Sequence, residues 1–177
     1  VGLTGGIATG KSTVSQYLAT QHTLPILDAD IYARQAVEPG ARILDQISQR
    51  YGAEVLHADG TLNRARLGQI IFNNPTEKEW VEQQIHPFVR QRFVNDMTKV
   101  RTVPVVVQVI PLLFEAGLTE QVTEIWVVTC STEVQLQRLM ERNALSQADA
   151  EARICYQWPL DQKAEKADVD LENTSTL

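Results

Sequence analysis

The chain has 177 residues, 44% of them hydrophobic, and a formal net charge of −6. That length suits one domain with a subdomain or lid, whose core needs no disulfide or metal staple. The acidic balance argues against a nucleic-acid partner, so an anionic substrate must be met by local positive charge.

Two cysteines, Cys130 and Cys155, form neither a CxxC pair nor a zinc-spaced cluster, which fits a reducing, cytoplasmic setting. No apolar run approaches the ~20 residues that span a bilayer, so no membrane segment is expected. The longest, 103–109, is interrupted by Gln108 and reads as a buried strand. The chain opens inside an apolar strand without Met or the layout of a signal peptide, so a few residues are expected to be missing. Asn173-Thr174-Ser175 matches a glycosylation pattern, which the cytosolic reading makes a coincidence.

In chain order, residues 1–3 end a strand, 5–10 form a glycine-rich loop, and 11–20 read as a helix with Val14, Tyr17 and Leu18 at helical spacing. Residues 24–27 form a second strand ending at Asp28-Ala29-Asp30, followed by a short helix to Gln35 that Pro39-Gly40 stops. Ile43, Leu44, Ile47 and Tyr51 share one helix face, Asp59-Gly60 signals a turn, and 64–72 form a helix with Leu67, Ile70 and Ile71 inward. Asn74 caps the next helix with Pro75 at its first position and Glu77 three residues after the cap. Pro87 lacks an amide donor, so this helix should kink or restart near His86. The β-branched run 103–110 reads as a central parallel strand, and 125–129 as another. Ser131 or Thr132 caps a helix to Arg142, Ser146 to Asp149 resembles a capping box, and 169–171 form a last short strand. Strands alternating with helices imply a parallel α/β sheet, with the helical stretch between strands large enough to cover a substrate.

Gly5-Gly6-Ile7-Ala8-Thr9-Gly10-Lys11-Ser12 satisfies G-x-x-x-x-G-K-[ST] in full. Glycines let successive N–H groups curl inward toward phosphate oxygens, and the positive end of the helix that follows favours an anion. Lys11 is expected at the β- and γ-phosphates of ATP, and the Ser12 hydroxyl on Mg²⁺. The preceding strand and following helix distinguish this loop from an ordinary glycine-rich turn.

Asp28 and Asp30 lie at the carboxyl end of a strand, the edge where open α/β sheets bind ligands. If the strand persists, alternation points both carboxylates the same way. Asp30 either caps the helix beginning at Ile31 or accepts the proton of an acceptor hydroxyl. Arg34, at i+4, pairs with Asp30 or with a substrate phosphate.

Residues 4–13, the run from Asp28 to Arg34, Ile85-His86-Pro87, Pro111-Leu112-Leu113-Phe114-Glu115, and Arg153-Ile154 with Gln157 together resemble the dephospho-CoA kinase family. They occur in that family's order across nearly the whole chain. The resemblance implies a P-loop kinase fold like that of nucleoside monophosphate kinases. Its parts would be a five-stranded parallel core (1–40, 101–142 and 160–177), a helical CoA-side insertion at about 41–100 and a lid at about 143–159. It implies transfer of the ATP γ-phosphate to the ribose 3′-hydroxyl of dephospho-CoA, with Asp30 as base. The loop residues Gly6 through Thr13 and Asn173 would serve the nucleotide. Asp28, Arg34, His86, Pro111 and Leu112 would serve the acceptor, and Arg138 and Arg142 fall where the family places arginines on ATP or the transferring phosphate. A solvated helix face beside Glu141 is the other reading of those arginines, and a structural role the other reading of His86. Glu115 holds a metal-bound water, pairs with a basic residue, caps a helix or is a surface acid. The chain departs from the family where Thr174, Ser175 and Thr176 follow Asn173 in place of an expected glycine, and where it stops at Leu177 before an expected last helix. Oligomeric state is not legible.

Overall fold

The β-branched and apolar runs of the sequence build a single sheet in the computed structural model, which describes residues 1–72 and 74–174. The elements are β1 (Gly2–Gly5), α1 (Lys11–His22), β2 (Ile26–Asp28), α2 (Ala29–Gln35), α3 (Arg42–Tyr51), α4 (Arg64–Phe72), α5 (Pro75–Val100), β3 (Val107–Val109), β4 (Ile125–Thr129), α6 (Thr132–Asn143), α7 (Gln147–Cys155), α8 (Leu160–Glu165) and β5 (Val169–Glu172). Short 3-10 turns at Ala53–Val55 and Thr119–Gln121 complete them. The chain divides into two compact units: Val1–Asp28 with the chain from Val100 on, and Ala29–Lys99.

The first unit holds the sheet, in the order β2-β3-β1-β4-β5 with every neighbour parallel. Its core gathers Leu3, Leu18, Val107, Val109 and Val128, each contributing roughly 1.5–3 kcal/mol by leaving water. Gly2 pairs with both Gln108 and Ile125, so the strand feeding the glycine-rich loop is the middle one. In a parallel sheet all strands end on one edge. Asp28, Ile110-Pro111, Cys130 and Asn173 therefore border the same rim as the loop after Gly5.

Several expectations shift. β3 covers only the end of 103–110, because Pro104 has no N–H to give a ladder and the Val103 amide closes a turn on the Val100 carbonyl. β2 starts at Ile26, and the Leu24 amide instead ends α1 by donating to the Leu18 carbonyl. α1 runs on to His22 before Thr23 turns left-handed, and Tyr17 is 57% exposed, so the inward face is Ser15 and Leu18 rather than one including Tyr17. Of the two cap candidates for α6, Ser131 is the one used, its Oγ accepting the Val134 amide at 3.3 Å. α8 fills a stretch that the sequence left without an element.

The second unit is helical and packs Ala36, Val37, Leu44, Ile47, Val55, Leu62, Leu67 and Val81 into its own core. Asn74 caps α5 as expected, with Oδ1 accepting the Glu77 amide at 3.3 Å. α5 runs unbroken through Pro87 rather than restarting there; a proline removes one donor, and the 26-residue helix tolerates that loss.

Candidate active site

The loop between β1 and α1 is fastened from four directions. Gly10 sits at φ +99°, a conformation glycine adopts without strain, and an added Cβ there would collide with the Asn173 side-chain amide. That amide donates from Nδ2 to the Thr9 carbonyl at 2.9 Å, while the Asn173 backbone amide donates to the Thr129 carbonyl at 2.8 Å. Lys11 Nζ folds over the loop, donating to the carbonyls of Gly6 at 2.6 Å and Gly5 at 3.3 Å. Thr9 Oγ1 bridges to the Gly6 carbonyl at 3.0 Å. Thr4 Oγ1 donates to the Pro111 carbonyl at 3.2 Å, tying β1 to the segment after β3. Among the described residues the amides of Ala8, Gly10 and Ser12 find no acceptor in the protein. These are donors of the kind a polyphosphate satisfies.

Arg138 joins this site. Its Nη1 donates to the Asn173 carbonyl at 2.9 Å, so the cation stands beside the residue that holds Thr9. The half-buried Cys130 records the same convergence: burial pushes its thiol up from the usual range, against the pull of Arg138 and Lys11. Arg142, one turn further along α6, is exposed and donates to the neighbouring Asn143 Oδ1 at 2.9 Å. Leu112 is exposed while Leu113 and Phe114 beside it are buried.

The chain after α7 returns to the loop through Gln157, whose Oε1 accepts the Ile7 amide at 2.7 Å. From α6, buried Gln135 donates Nε2 to the Ile7 carbonyl at 2.8 Å. Next to Gln157, the Trp158 amide donates to Glu115 Oε1 at 2.9 Å and its ring stacks on Phe114 with centroids 5.9 Å apart. The same Oε1 lies 2.7 Å from Nζ of Lys163, which is fully buried in α8. This is an ionic contact rather than a well-angled hydrogen bond, since Nζ and Glu115 Oε2 both lack a hydrogen-bond partner. Burial raises the Glu115 pKa, but the Lys163 and Trp158 contacts outweigh it and hold the carboxyl below its usual range. Glu115 is thus the partner of a basic residue. Sequence reasoning missed Gln135 and Lys163 and gave Gln157 no role; its place with Arg153-Ile154 among the residues that carry the family resemblance was the one hint.

In the helical unit, Asp30 lies within the first turn of α2 and does not cap it. The chain turns helical at Ala29, so Asp28 and Asp30 do not share a face through strand alternation. Tyr32 is buried, its hydroxyl donating to Asp96 Oδ2 at 2.8 Å and its ring edge-on to Phe93. Residues two apart on a helix point to opposite sides, so the buried Tyr32 turns Asp30 outward, where it is exposed. Arg34 makes no ion pair among the described residues and stands near Arg64, whose pKa is lowered first by burial and then by the Arg34 charge. His86 lies exposed on α5. The half-buried Thr174 donates its Oγ1 to Glu172 Oε1 at 2.9 Å, while Ser175, Thr176 and Leu177 lie outside the described residues.

Among the described residues no cluster of three or more His, Cys, Asp or Glu side chains is arranged to hold a metal ion, and no helix is long and apolar enough to cross a membrane. The family model for dephospho-CoA kinase matches residues 1–177. The chain belongs to the dephospho-CoA kinase family. It is 58% identical to the dephospho-CoA kinase of a Nostoc species, covering 100% of this chain and 90% of that protein. It is 55% identical to that of a Synechocystis species, covering 100% and 88%. Among solved structures, a Thermus thermophilus protein superposes with a TM-score of 0.85 at 31% identity, covering 99% of this chain and 88% of that one. The dephospho-CoA kinase of Campylobacter jejuni superposes with a TM-score of 0.68 at 30% identity, with the same coverages. The five-stranded parallel sheet with its loop after the middle strand is accordingly the P-loop kinase fold of this family.

Proposed function

We propose that this chain transfers the γ-phosphate of ATP to the ribose 3′-hydroxyl of dephospho-CoA, giving coenzyme A and ADP. The observation that carries the reading is the loop of residues 5–12, in which the amides of Ala8, Gly10 and Ser12 lack an acceptor among the described residues and the Lys11 ammonium lies on the Gly6 carbonyl, in a chain of this family. Phosphoryl transfer needs little covalent help from a protein; positioning and charge neutralisation dominate.

In this reading the loop from Gly6 to Thr13, through its Ala8, Gly10 and Ser12 amides, and the Asn173 end of the sheet hold the polyphosphate, and Lys11 neutralises its β- and γ-oxygens. The Ser12 hydroxyl would hold Mg²⁺ beside the nucleotide, and the ion, when bound, would offset charge on the phosphate oxygens. The outward carboxylate of Asp30 accepts the proton of the 3′-hydroxyl as its oxygen bonds to phosphorus and the bond to the leaving ADP oxygen breaks. Arg138, anchored on Asn173, and Arg142, free to swing, meet the transferring phosphate. Asp28, Arg34, His86, Pro111 and Leu112 serve the acceptor; Arg34 and Arg64, two neighbouring cations, suit its phosphates. We assign the insertion of about 41–100 to the CoA side and about 143–159 to a lid, since α7 buries only Ala150. The free thiols of Cys130 and Cys155 favour a reducing cytoplasm.

The test is ATP consumption with dephospho-CoA, adenosine, AMP and shikimate as acceptors. Stimulation by dephospho-CoA alone is expected; no stimulation by it rejects the substrate.

A further inference from the structure

Of the two peptide planes flanking Ile7, the Gly6–Ile7 plane is held at both ends and the Ile7–Ala8 plane at its carbonyl. Gln157 Oε1 takes the Ile7 N–H at 2.7 Å. In a trans peptide the preceding carbonyl points the opposite way, and that carbonyl, of Gly6, receives Lys11 Nζ at 2.6 Å and Thr9 Oγ1 at 3.0 Å. Gln135 Nε2 takes the Ile7 carbonyl at 2.8 Å. The Ala8 N–H on the far side of that plane is one of the loop donors without an acceptor among the described residues. Gly6 makes room for this arrangement, because a Cβ there would run into Gln135 Nε2. Ala8 is held at φ +61°, a left-handed conformation that alanine resists, so an unclamped plane has strain to relieve by turning over.

We infer that Gln157 and Gln135 are positioning residues for phosphoryl transfer: together they clamp Ile7 so that the Ala8 amide faces the nucleotide phosphates and the Gly6 carbonyl holds the Lys11 ammonium. A turned plane would present the Ile7 carbonyl oxygen, a partial negative charge, to an anion. The chemistry of the clamp is specific. The Ile7 N–H needs an acceptor and the Ile7 carbonyl a donor, and both must be uncharged beside a polyphosphate, which glutamine supplies in each case. Gln135 is fixed by near-complete burial, 3% exposed, in the first turns of α6. Gln157 is fixed by its neighbour Trp158, bonded to Glu115 and stacked on Phe114. The inference rests on the ATP-dependent reading, and equilibrium ADP binding tests it without any acceptor.

The experiment compares Gln157→Met, Gln135→Met, their double variant and Gln157→Glu, using calorimetric titration with ADP and Mg²⁺, KM for ATP and for dephospho-CoA, and the thermal midpoint. Each Met variant is expected to weaken ADP binding about tenfold and to raise KM for ATP, with KM for dephospho-CoA within about twofold of wild type. The double variant should lose far less than the product of the single losses, because releasing either end frees the same residue. Gln157→Glu keeps an acceptor for Ile7 but sets a charge beside the phosphates, so its midpoint should hold while ADP binding falls at least about tenfold. ADP binding within about twofold of wild type in Gln157→Met, an equal rise in both KM values, or multiplying losses in the double variant would each overturn the clamp. If buried Gln135→Met fails to fold, the two Gln157 variants decide. A wild-type protein that binds ADP but ignores dephospho-CoA would sink the acceptor reading and leave the clamp standing.

Discussion

Replacing Lys163 by Met should cost this protein about 3 kcal/mol, more than most single substitutions. The ammonium is wholly buried, 2.7 Å from Glu115 Oε1. Removing it leaves a carboxylate whose Oε2 is buried without a donor and whose Oε1 keeps only the Trp158 amide. Stranding one member of a buried pair costs about 3–5 kcal/mol; the Glu115 side chain is 16% exposed, so water reaches part of it and the low end of that range applies. For a chain of this size each kcal/mol moves the midpoint by about 2–4 °C, giving a fall of roughly 6–12 °C. Adding Glu115→Gln removes the stranded charge yet keeps an acceptor for Trp158, so the double variant should recover at least about 1 kcal/mol. The assay is urea unfolding followed by tryptophan emission, to which Trp158 reports from beside the pair. The same contact has a pH signature. Glu115 titrates below its usual range when folded, so its contribution is present above its unfolded pKa and disappears as pH falls through the folded value. The penalty of Lys163→Met should shrink accordingly in acid. A loss under about 1 kcal/mol, or a double variant worse than the single, would refute this account of the pair.

Gly10→Ala should weaken ADP binding at least about tenfold, since its Cβ displaces the Asn173 amide from Thr9 and the residue must hold φ +99°; titration with ADP showing wild-type affinity would contradict the cradle. Asp30→Asn is expected to lower kcat by about 10²–10⁴ while ADP affinity stays within about twofold; steady-state turnover near wild type would reject Asp30 as base. Arg138→Ala should raise KM for ATP through loss of the Asn173 carbonyl contact, whereas Arg142→Ala should lower kcat with ADP affinity unchanged; identical profiles for the two would show that the anchor on Asn173 is irrelevant. In the helical unit, hydrogen bonds from Arg50 and then Tyr51 hold Glu77 at a pKa of about 2, from an ordinary value of 4.5. Its stabilising effect is present above 4.5 and is lost as pH falls toward 2, so Glu77→Gln should flatten the acid limb of a stability profile measured over that window.

How much of the fold was legible depends on how local its cause was. Ile125–Thr129 is a compact β-branched run, and its bounds agree with expectation residue for residue. The strand in 103–110 was overextended because β-branching is a side-chain signal, whereas Pro104 fails at the backbone. Asn74 and Ser146 were readable as caps since each bonds an amide three residues on, with Ser146 Oγ accepting the Asp149 amide at 3.2 Å. α8 carried no such signal. Leu160–Glu165 is mostly polar, and the residue it buries is Lys163, which any hydropathy reading places outside. Only Glu115, 48 positions earlier by the numbering and at the end of another segment, makes that burial tolerable.

The same division runs through the site. The loop was readable because the motif is written in consecutive residues: the glycines, Lys11 and Ser12 follow one another along a single stretch of chain. Asp30 was singled out by position, but its outward aim comes from Tyr32, whose bond to Asp96 spans 64 residues. Arg138 and Arg142 looked equivalent in sequence, one helical turn apart, and the structure distinguishes them by the Asn173 carbonyl that Arg138 meets across 35 residues. The clamp on Ile7 lay deepest. Gln157 meets it across 150 residues and Gln135 across 128, and a glutamine in an amphipathic stretch is by composition an ordinary surface residue. What makes these two different is that their partners are backbone groups of the loop, and a backbone N–H or carbonyl leaves no mark on the sequence. A motif therefore reveals the donors of the loop, while the side chains that aim those donors become visible only when the fold brings them to it.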